Sequence, residues 1–464
     1  MSTHMTVHRS STMLRRSVAV ALSLALLGAS SVAGAQTAKE VELEKRVAEL
    51  EKMVQQLVAE KQAAPAAPAA APAVAAAPAK PDPKAIQPGA ILPNAAPGTS
   101  FVLTGFAKVD GLWTDTPDGE LADNSTGRDY YVPGQIPVGG LDEGVDFDAH
   151  ARQSRINFGT DTVLASGDKL MTRFEIDFFA ATTNSKVSNT SSPALRHAYI
   201  TWHEWLVGQT WTNFMDATLL PETTDFIGPT DGTIFVRQPQ VRWTKGGLSL
   251  ALENPQTTYT SYNATTTAPA AGTFTGESDD SSIPDLTARY TWKGSWGMLG
   301  VSGLARELKY ETTGTGAIDA NTWTMAASAF GKYMIGKDDI RFAITGGNLG
   351  RYAGLNFTND AVLTSDGDLE TIDGVIGWIG YRHLWTDKWR SSLLFAMGDY
   401  DNPDEFTGNK AQLSKSSSSW AVNLFYSPLP KLDIGAEVRI ATRELENGQE
   451  GDLNRLQFTT KYSF

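Results

Sequence analysis

Cysteine is absent from the sequence, so no disulfide can hold the folded chain together. Histidine is scarce: there are six in 464 residues, and none lies in a nucleophile motif or has metal-site spacing with other ligands. We therefore expect no cofactor, no metal and no enzymatic activity. Positive charge is also in deficit, with 39 Lys and Arg against 52 Asp and Glu, which argues against a nucleic-acid partner.

Long apolar runs are missing after the first 35 residues, which excludes a transmembrane helix from the rest of the chain. Within residues 1–35, Arg15 and Arg16 precede an apolar stretch that ends in Ala33-Gly34-Ala35. This order predicts a secretory signal peptide over 1–35, and a membrane-anchoring helix is the alternative. Its removal takes away three arginines and no acid, changing the formal net charge from −13 to −16.

Residues 36–62 carry an apolar heptad pattern typical of an α-helical coiled coil. Leucine at d and valine at a predict its core, formed by Leu43, Val47, Leu50, Val54 and Leu57. This choice of side chains mildly favours a two-stranded coiled coil and leaves a three-stranded one open. A solitary amphipathic helix on a surface is the alternative.

Residues 63–98 contain nine of the 22 prolines, four of them between alanines. Proline lacks an N–H and fixes φ, so neither a helix nor a strand is expected there. We predict an extended linker between the coiled coil and the body of the protein.

Residues 99–464 alternate between apolar and polar side chains, which predicts strands with one apolar and one polar face. "DKLMTRFEIDFF", "DLTARYTW", "SWAVNLFY" and "LDIGAEVRIATREL" all follow this pattern. Alternation by itself fits both a soluble β-sandwich and a transmembrane β-barrel.

Three further features favour the barrel. Tryptophans recur near the predicted strand ends, as in interfacial belts: Trp113, Trp202, Trp243, Trp292, Trp385, Trp389 and Trp420. Tight turns such as "YSPLPK" alternate with long polar connections such as 254–285. Charges also recur in mid-strand, where a water-filled lumen tolerates them. About 10 residues per tilted strand plus connections predict an all-β transmembrane barrel of about 16 antiparallel strands over 99–464.

The end of the chain, "LNRLQFTTKYSF", predicts the closing strand of this barrel. Leu456, Phe458, Tyr462 and Phe464 share its apolar face, which would meet lipid. The alternate residues, including Arg455 and Lys461, would face water inside.

Several stretches, in order along nearly the whole chain after the signal, resemble the DcaP-type trimeric outer-membrane porins. They are "GFAKVDG", "ARQSRINFGT", "LRHAYITW", "GQTWTNFMDATLLPETTDFIGP", "FVRQPQVRWT", "LALENP", "GYRHLWTDKWRSS", "FYSPLPKLDIGAEV" and "RLQFTTKYSF". The resemblance implies a homotrimer of 16-stranded barrels in the outer membrane of a Gram-negative bacterium, with coiled coils in the periplasm. It also implies passive uptake of small anionic organic solutes, dicarboxylates among them.

The same resemblance implies roles for particular residues. The segment "FMDATLLPETTDFIGPTDGTIF" would fold into the lumen and bring Glu222 and Asp225 near its narrowest point; an ordinary external loop is the alternative. Tyr462 and Phe464 would form the signal that the outer-membrane insertion machinery reads.

Opposite that loop we expect a basic wall that raises the local anion concentration. Strand parity and sequence position assign to it Lys108, Arg155, Arg173, Arg196, Arg242, Arg289 and Arg439. The alternative is that these cations pair with neighbours such as Glu175, Asp177 and Glu437. Arg152 and Arg237 have the wrong parity. This predicts that Arg152 lies at an aqueous end or past a bulge, and that a bulge at Pro239 separates Arg237 from Arg242.

Two other functions stay open from the sequence. The coiled coil and linker could tether the outer membrane to peptidoglycan or to a periplasmic partner. An outer-membrane hydrolase is the enzymatic alternative, although the chain shows no constellation for it.

Overall fold

The computed structural model of the chain describes Lys52 and residues 97–142, 144–180, 182–184, 188–261, 275–356, 358–404 and 410–464. Contacts divide the chain into two units, Met1–Ala85 and Ile86–Phe464. The predicted signal peptide, the coiled coil apart from Lys52, and nearly all of the linker lie outside the described residues. The architecture below belongs to the second unit.

This unit consists almost wholly of β-strands. In chain order they are β1 (Thr99–Asp115), β2 (Val145–His150), β3 (Arg155–Val163), β4 (Lys169–Asp177), β5 (Thr182–Asn184), β6 (Thr190–Ser191), β7 (Ala194–Trp202), β8 (Trp205–Trp211), β9 (Arg237–Lys245), β10 (Leu248–Glu253), β11 (Thr257–Ser261), β12 (Thr275–Ser278), β13 (Asp285–Gly294), β14 (Gly297–Glu311), β15 (Asp319–Ile335), β16 (Asp338–Asn348), β17 (Ala361–Leu363), β18 (Leu369–Thr371), β19 (Asp373–Leu384), β20 (Trp389–Asp401), β21 (Ser414–Leu429), β22 (Leu432–Leu445) and β23 (Glu450–Ser463).

Among the described residues of this unit, helical structure is limited to short turns in the connections. They are α1 (Thr126–Asp129) and the 3₁₀ turns Pro133–Gln135, Ala217–Leu219, Thr230–Gly232, Gly350–Asn356 and Lys410–Gln412. Within the described residues, none of the helices has the length and hydropathy needed to cross a membrane.

The main sheet closes on itself. β1 pairs with β23 on one side, from Phe106 opposite Ser463 to Asp115 opposite Asn454, and with β2 and β3 on the other. β2 and β3 run in line along β1 and are separated by residues 151–154, so they form one interrupted strand. The result is a closed antiparallel barrel of 16 strands, as the sequence predicts. The interruption contains Arg152, for which the sequence predicts an aqueous end or a position past a bulge.

The two ends of the barrel differ in their connections. Seven connections, such as 203–204 and 430–431, have two to five residues and lie at the end where β1 begins. The eight at the other end have four to 31 residues. In outer-membrane barrels short turns face the periplasm and long loops the exterior. Two of the long connections build a small four-stranded sheet of β12, β11, β17 and β18 at the long-loop end.

Side chains alternate across the wall as the sequence predicts. Outward positions are apolar and exposed, for example Leu103, Phe158 and Val301, whereas inward positions such as Gln457 and Thr459 are buried. Exposed tryptophans border the short turns, namely Trp202, Trp205, Trp292, Trp296, Trp385 and Trp389. An indole has an apolar body and one polar N–H, so this arrangement suits a membrane interface.

Candidate functional site

The connection between β8 and β9, residues 212–236, folds back into the barrel; we call it the inward loop. Its entrance is fixed by Glu253, a fully buried carboxylate at an inward position of β10. Glu253 accepts hydrogen bonds from the Thr212 hydroxyl (3.0 Å) and the Asn213 N–H (2.8 Å). Gln238, just beyond the loop's exit, donates to the same carboxylate. One side chain therefore positions both ends of the loop.

An apolar face attaches the first half of the inward loop to the wall. Leu219 is 2% exposed and packs against inward side chains of β14, β15 and β19, namely Met298, Phe330 and Trp378. Phe214 packs similarly in a larger cluster with Leu304, Ile376 and others. The barrel interior thus contains a hydrophobic core on one side, and burial of these side chains holds the loop there.

Polar contacts attach the tip of the inward loop to the next strands. Glu222 accepts two hydrogen bonds from the Arg390 guanidinium of β20, at 2.7 and 2.6 Å. The Thr224 N–H donates to Glu437 of β22 at 3.0 Å. The Thr224 carbonyl accepts from Lys108 Nζ of β1 at 2.6 Å. The tip thereby spans the wall from β20 to β1.

The connection 116–144 also enters the lumen and contacts the inward loop. The Tyr131 N–H donates to Asp225 Oδ1 at 2.8 Å, and the Tyr131 hydroxyl donates to Asp231 Oδ1 at 2.7 Å. Burial raises the pKa of the Asp231 carboxyl. Asp225 also accepts from the N–H groups of Ile227 and Gly228, so this carboxylate organises the turn of the loop.

The passage that remains runs along β3, β4, β7 and β9. Inward side chains there keep partial exposure: that of Arg155 is 20% exposed and that of Glu175 13%. By contrast, Arg439 and Gln457, under the inward loop, are 2% and 3% exposed. At the level of the inward loop, the accessible passage therefore lies on the side of β3, β4 and β9.

The seven predicted basic-wall residues fall into two groups. Lys108, Arg196 and Arg439 are at most 4% exposed. Lys108 is bound to the inward loop, and Arg439 is paired with Glu437 at 3.1 Å. Arg155, Arg173, Arg242 and Arg289 keep partial exposure.

Several of these cations have acidic partners, as the alternative interpretation of the sequence expects. Arg155 and Arg196 share Glu175 and Asp177, with Arg155 at 3.4 Å from Glu175. Arg173 lies 2.7 Å from Asp161, and Arg289 lies 3.6 Å from Asp216.

Four arginines form no ion pair with any described residue: Arg237, Arg242, Arg443 and Arg455. Arg443 and Arg455 are 5% and 3% exposed and donate to carbonyls of the connection 116–144. Arg237 and Arg242, both on β9, remain partly exposed. Among the described residues, no carboxylate lies within ion-pair distance of either charge.

Trp211, the last residue of β8, holds both of these guanidinium groups. The Arg237 guanidinium carbon lies 4.1 Å from the centroid of the Trp211 ring and 5.1 Å from that of Phe235. Arg242 donates to the Trp211 carbonyl and, at 2.8 Å, to Gln240. Cation–π contact orients a guanidinium without neutralising it.

The bulge that the sequence predicts at Pro239, between Arg237 and Arg242, is absent. β8 and β9 pair without interruption from Trp205 opposite Trp243 to Trp211 opposite Arg237, so there is no bulge at Pro239. Arg237 is the first residue of β9, and its side chain reaches the interior over Trp211 in spite of its parity.

A real irregularity lies in β7. The register between β4 and β7 shifts after Glu175, which leaves Arg196 without a partner in the ladder. As a result both Arg196 and His197 contact Glu175, at 3.0 and 3.7 Å. Strict alternation cannot place two successive residues on one face, so the sequence did not indicate His197.

The remaining predicted residues are placed as follows. The Glu222 side chain is 24% exposed, and Asp225 is 3% exposed. Tyr462 and Phe464 face outward at 53% and 48% exposure. The five coiled-coil core residues lie outside the described part of the chain. Among the described residues, no group of three His, Asp or Glu could hold a metal ion.

A family model of the DcaP outer membrane proteins matches residues 134–464, more than two thirds of the chain. The chain belongs to the DcaP outer membrane protein family. The protein is accordingly an outer-membrane channel and not an enzyme. No curated protein matches the sequence.

Solved structures agree with the fold. The outer membrane channel DcaP of Acinetobacter baumannii is 21% identical, with a TM-score of 0.60 over 79% of this chain and 98% of that one. The anion-selective porin from Comamonas acidovorans is 12% identical, with a TM-score of 0.47 over 79% and 100%. The trimer form of OmpT from Vibrio cholerae is 8% identical, with a TM-score of 0.47 over the same shares. Of these three likenesses, only that to the Acinetobacter baumannii channel supports an inference, which concerns the fold.

Proposed function

We propose that this DcaP-family channel is an anion-selective diffusion porin for small organic anions, dicarboxylates among them. The observation that carries the proposal is the charge of the remaining passage. Arg237 and Arg242 face it without ion-pair partners, and Arg155, Arg173 and Arg289 add partly exposed cations.

The geometry suits weak and transient binding. A guanidinium without an ion-pair partner attracts a carboxylate, and a second guanidinium nearby allows the solute to move on. A porin gains from this arrangement only if each step is weak enough for fast release. Trp211 keeps Arg237 and Arg242 at fixed positions, so successive contacts follow a defined path along β9.

The same proposal assigns Lys108, Arg196 and Arg439 to the support of the constriction. Glu222 and Asp225 hold the inward loop at the narrow part, Glu222 through Arg390 and Asp225 through Tyr131.

We further propose a homotrimer whose N-terminal segment lies in the periplasm. β1 begins at the end of the barrel that carries the short turns, which are periplasmic in outer-membrane barrels. The signal peptide (1–35), the coiled coil (36–62) and the linker (63–98) belong to this proposal, as does a role of the coiled coil in binding peptidoglycan or a periplasmic partner.

Reconstitution of the protein in planar bilayers tests the proposal. We expect conductance steps in groups of three and, in a salt gradient, a reversal potential that shows anions to be more permeant than cations. Succinate should then reduce the chloride current in a saturable manner. Cation selectivity of the wild-type channel would refute the anion pathway.

A further inference from the structure

A second cluster of cations lies below the inward loop, toward the short turns. Lys332 of β15, Arg341 of β16 and Arg382 of β19 surround Asp339, whose side chain is fully buried. Arg341 Nε lies 2.6 Å from one carboxylate oxygen, Arg382 Nη2 lies 2.6 Å from the other, and Lys332 Nζ lies 3.7 Å away. We call Lys332, Arg341 and Arg382 the lower triad.

The lower triad has an excess of positive charge. Three cations share a single carboxylate within ion-pair distance, which leaves two charges uncompensated among the described residues. Lys332 and Arg341 are also directly opposite each other on paired strands. Like charges in this position destabilise a sheet, so the arrangement calls for an additional anion.

The next cations around the wall, on β20 and β23, are balanced by acidic side chains. Arg390 and Lys461 are matched by the two carboxylates of Glu222 and Asp433, at distances from 2.6 to 3.5 Å. The excess below the inward loop is therefore localised at the lower triad.

Donors of the lower triad remain available to a ligand. The side chains of Lys332 and Arg382 are 27% and 26% exposed. Arg382 Nε is buried and has no hydrogen-bonding partner among the described residues, so the exposed part of this guanidinium is at its Nη atoms. Arg341 is more committed, since its Nη1 donates to the Leu220 carbonyl of the inward loop at 2.8 Å.

We propose that the lower triad is a second anion-binding site, on the periplasmic side of the constriction. Its ligand is a small oxyanion, a carboxylate or phosphate group that bridges Lys332 and Arg382. Lys332 precedes the short turn at Gly336 by four residues, about 13 Å along the strand. The site would receive solutes that have passed the inward loop, so this inference rests on the proposed function.

The wild-type protein offers a direct test with inorganic phosphate as the probe. Lys332 is partly exposed in the lumen, and Lys337 is exposed on the adjacent short turn. A water-soluble acetylating reagent is applied with and without phosphate, and modification of each lysine is measured by mass spectrometry. We expect phosphate to slow acetylation of Lys332 severalfold and to leave Lys337 unchanged. Equal rates for Lys332 with and without phosphate would overturn the proposal.

A charge-removal variant gives the second test. The double variant Lys332→Gln/Arg382→Gln is compared with Lys337→Gln, which removes a charge outside the lumen. Phosphate block of the chloride current should be at least about tenfold weaker in the double variant and unchanged in the control. Unchanged block in the double variant would contradict the second site. A wild-type channel that prefers cations would instead contradict the proposed function, so the two failures are distinguishable.

Discussion

At the scale of the residue, an arginine acts on a passing solute according to whether it has a partner. Arg196 and Arg155 share two carboxylates, whereas Arg237 has only the faces of Trp211 and Phe235. An ion pair presents a dipole to the water, and its field falls off faster than that of a single charge. The unpaired arginines of β9 should therefore dominate the selectivity of the passage.

Replacement of Arg237 and Arg242 by glutamine tests this at residue scale. We expect each single variant to lower the anion-to-cation permeability ratio severalfold and the double variant to bring it close to one, because the uncompensated charges are gone. The measurement is the reversal potential in a salt gradient across a planar bilayer.

Lys245→Gln is the matched control, since Lys245 is the exposed last residue of the same strand, at a short turn. Its permeability ratio should stay near that of the wild type. If the control and the β9 variants shift the ratio equally, total charge rather than position sets the selectivity.

At the scale of the element, the inward loop makes a wide barrel into a narrow channel. Its attachment is apolar on one half, through Leu219 and Phe214, and polar at the tip, through Glu222 and Thr224. The sequence indicated the loop as a break in alternation. It did not indicate which side of the barrel the loop covers.

The reason is visible in the inward side chains that the loop contacts. Met298, Leu304, Phe330 and Trp378 are apolar residues at lumen positions, where alternation predicts polar ones. A single strand cannot show whether such a residue faces lipid or another part of the chain. Which of the two an apolar residue faces becomes visible only in the closed barrel, with the position of the inward loop known.

Leu219→Ala tests the apolar attachment. The side chain fills a site between Met298, Phe330 and Trp378, so its truncation should weaken the attachment by about 2–5 kcal/mol. We expect a noisier open-channel current and a larger mean conductance, because the loop leaves the wall more often. Leu250→Ala removes the same atoms from an outward position that is 44% exposed, and its current should resemble the wild type.

At the scale of the whole molecule, the barrel depends on the seam between β1 and β23. Phe464 continues this seam: its N–H donates to the Gly105 carbonyl at 3.0 Å, and its carbonyl accepts from the Gly105 N–H at 3.3 Å. The Phe464 ring also lies over Gly105, where a Cβ would come within 2.8 Å of the ring and within 2.3 Å of the Arg155 carbonyl oxygen. Glycine at position 105 thus leaves room for the terminal aromatic.

Phe464→Ala tests the seam together with the proposed assembly signal. We expect less folded protein in the outer membrane, measured as the heat-modifiable fraction on gels. Tyr333→Ala removes an outward aromatic near a short turn on a distant strand and serves as the control. Full assembly of the Phe464 variant would exclude both roles of this residue.

The sequence predicted the barrel well and the constriction only in part. Period-two alternation and the turn lengths are local properties, and they were sufficient for 16 strands and for the outward face of β23. The inward position of Arg196 beside His197, by contrast, depends on the β7 bulge, and the contacts of Lys108 and Arg390 with the inward loop join segments far apart in the chain. The lower triad likewise brings together cations from three strands. The sequence of any one of these strands does not show that the three charges are neighbours.

Glu253 has a consequence for the chain entropy of the constriction. A free segment of 25 residues loses about 3 kcal/mol of closure entropy when its ends are brought together. Here the pairing of β8 with β9 already joins the ends, and Glu253 fixes Asn213 and Gln238 against the wall. Formation of the barrel therefore already includes the entropy loss of closing this segment. The favourable contacts of residues 212–236 then have to offset only the entropy lost when the segment itself becomes ordered.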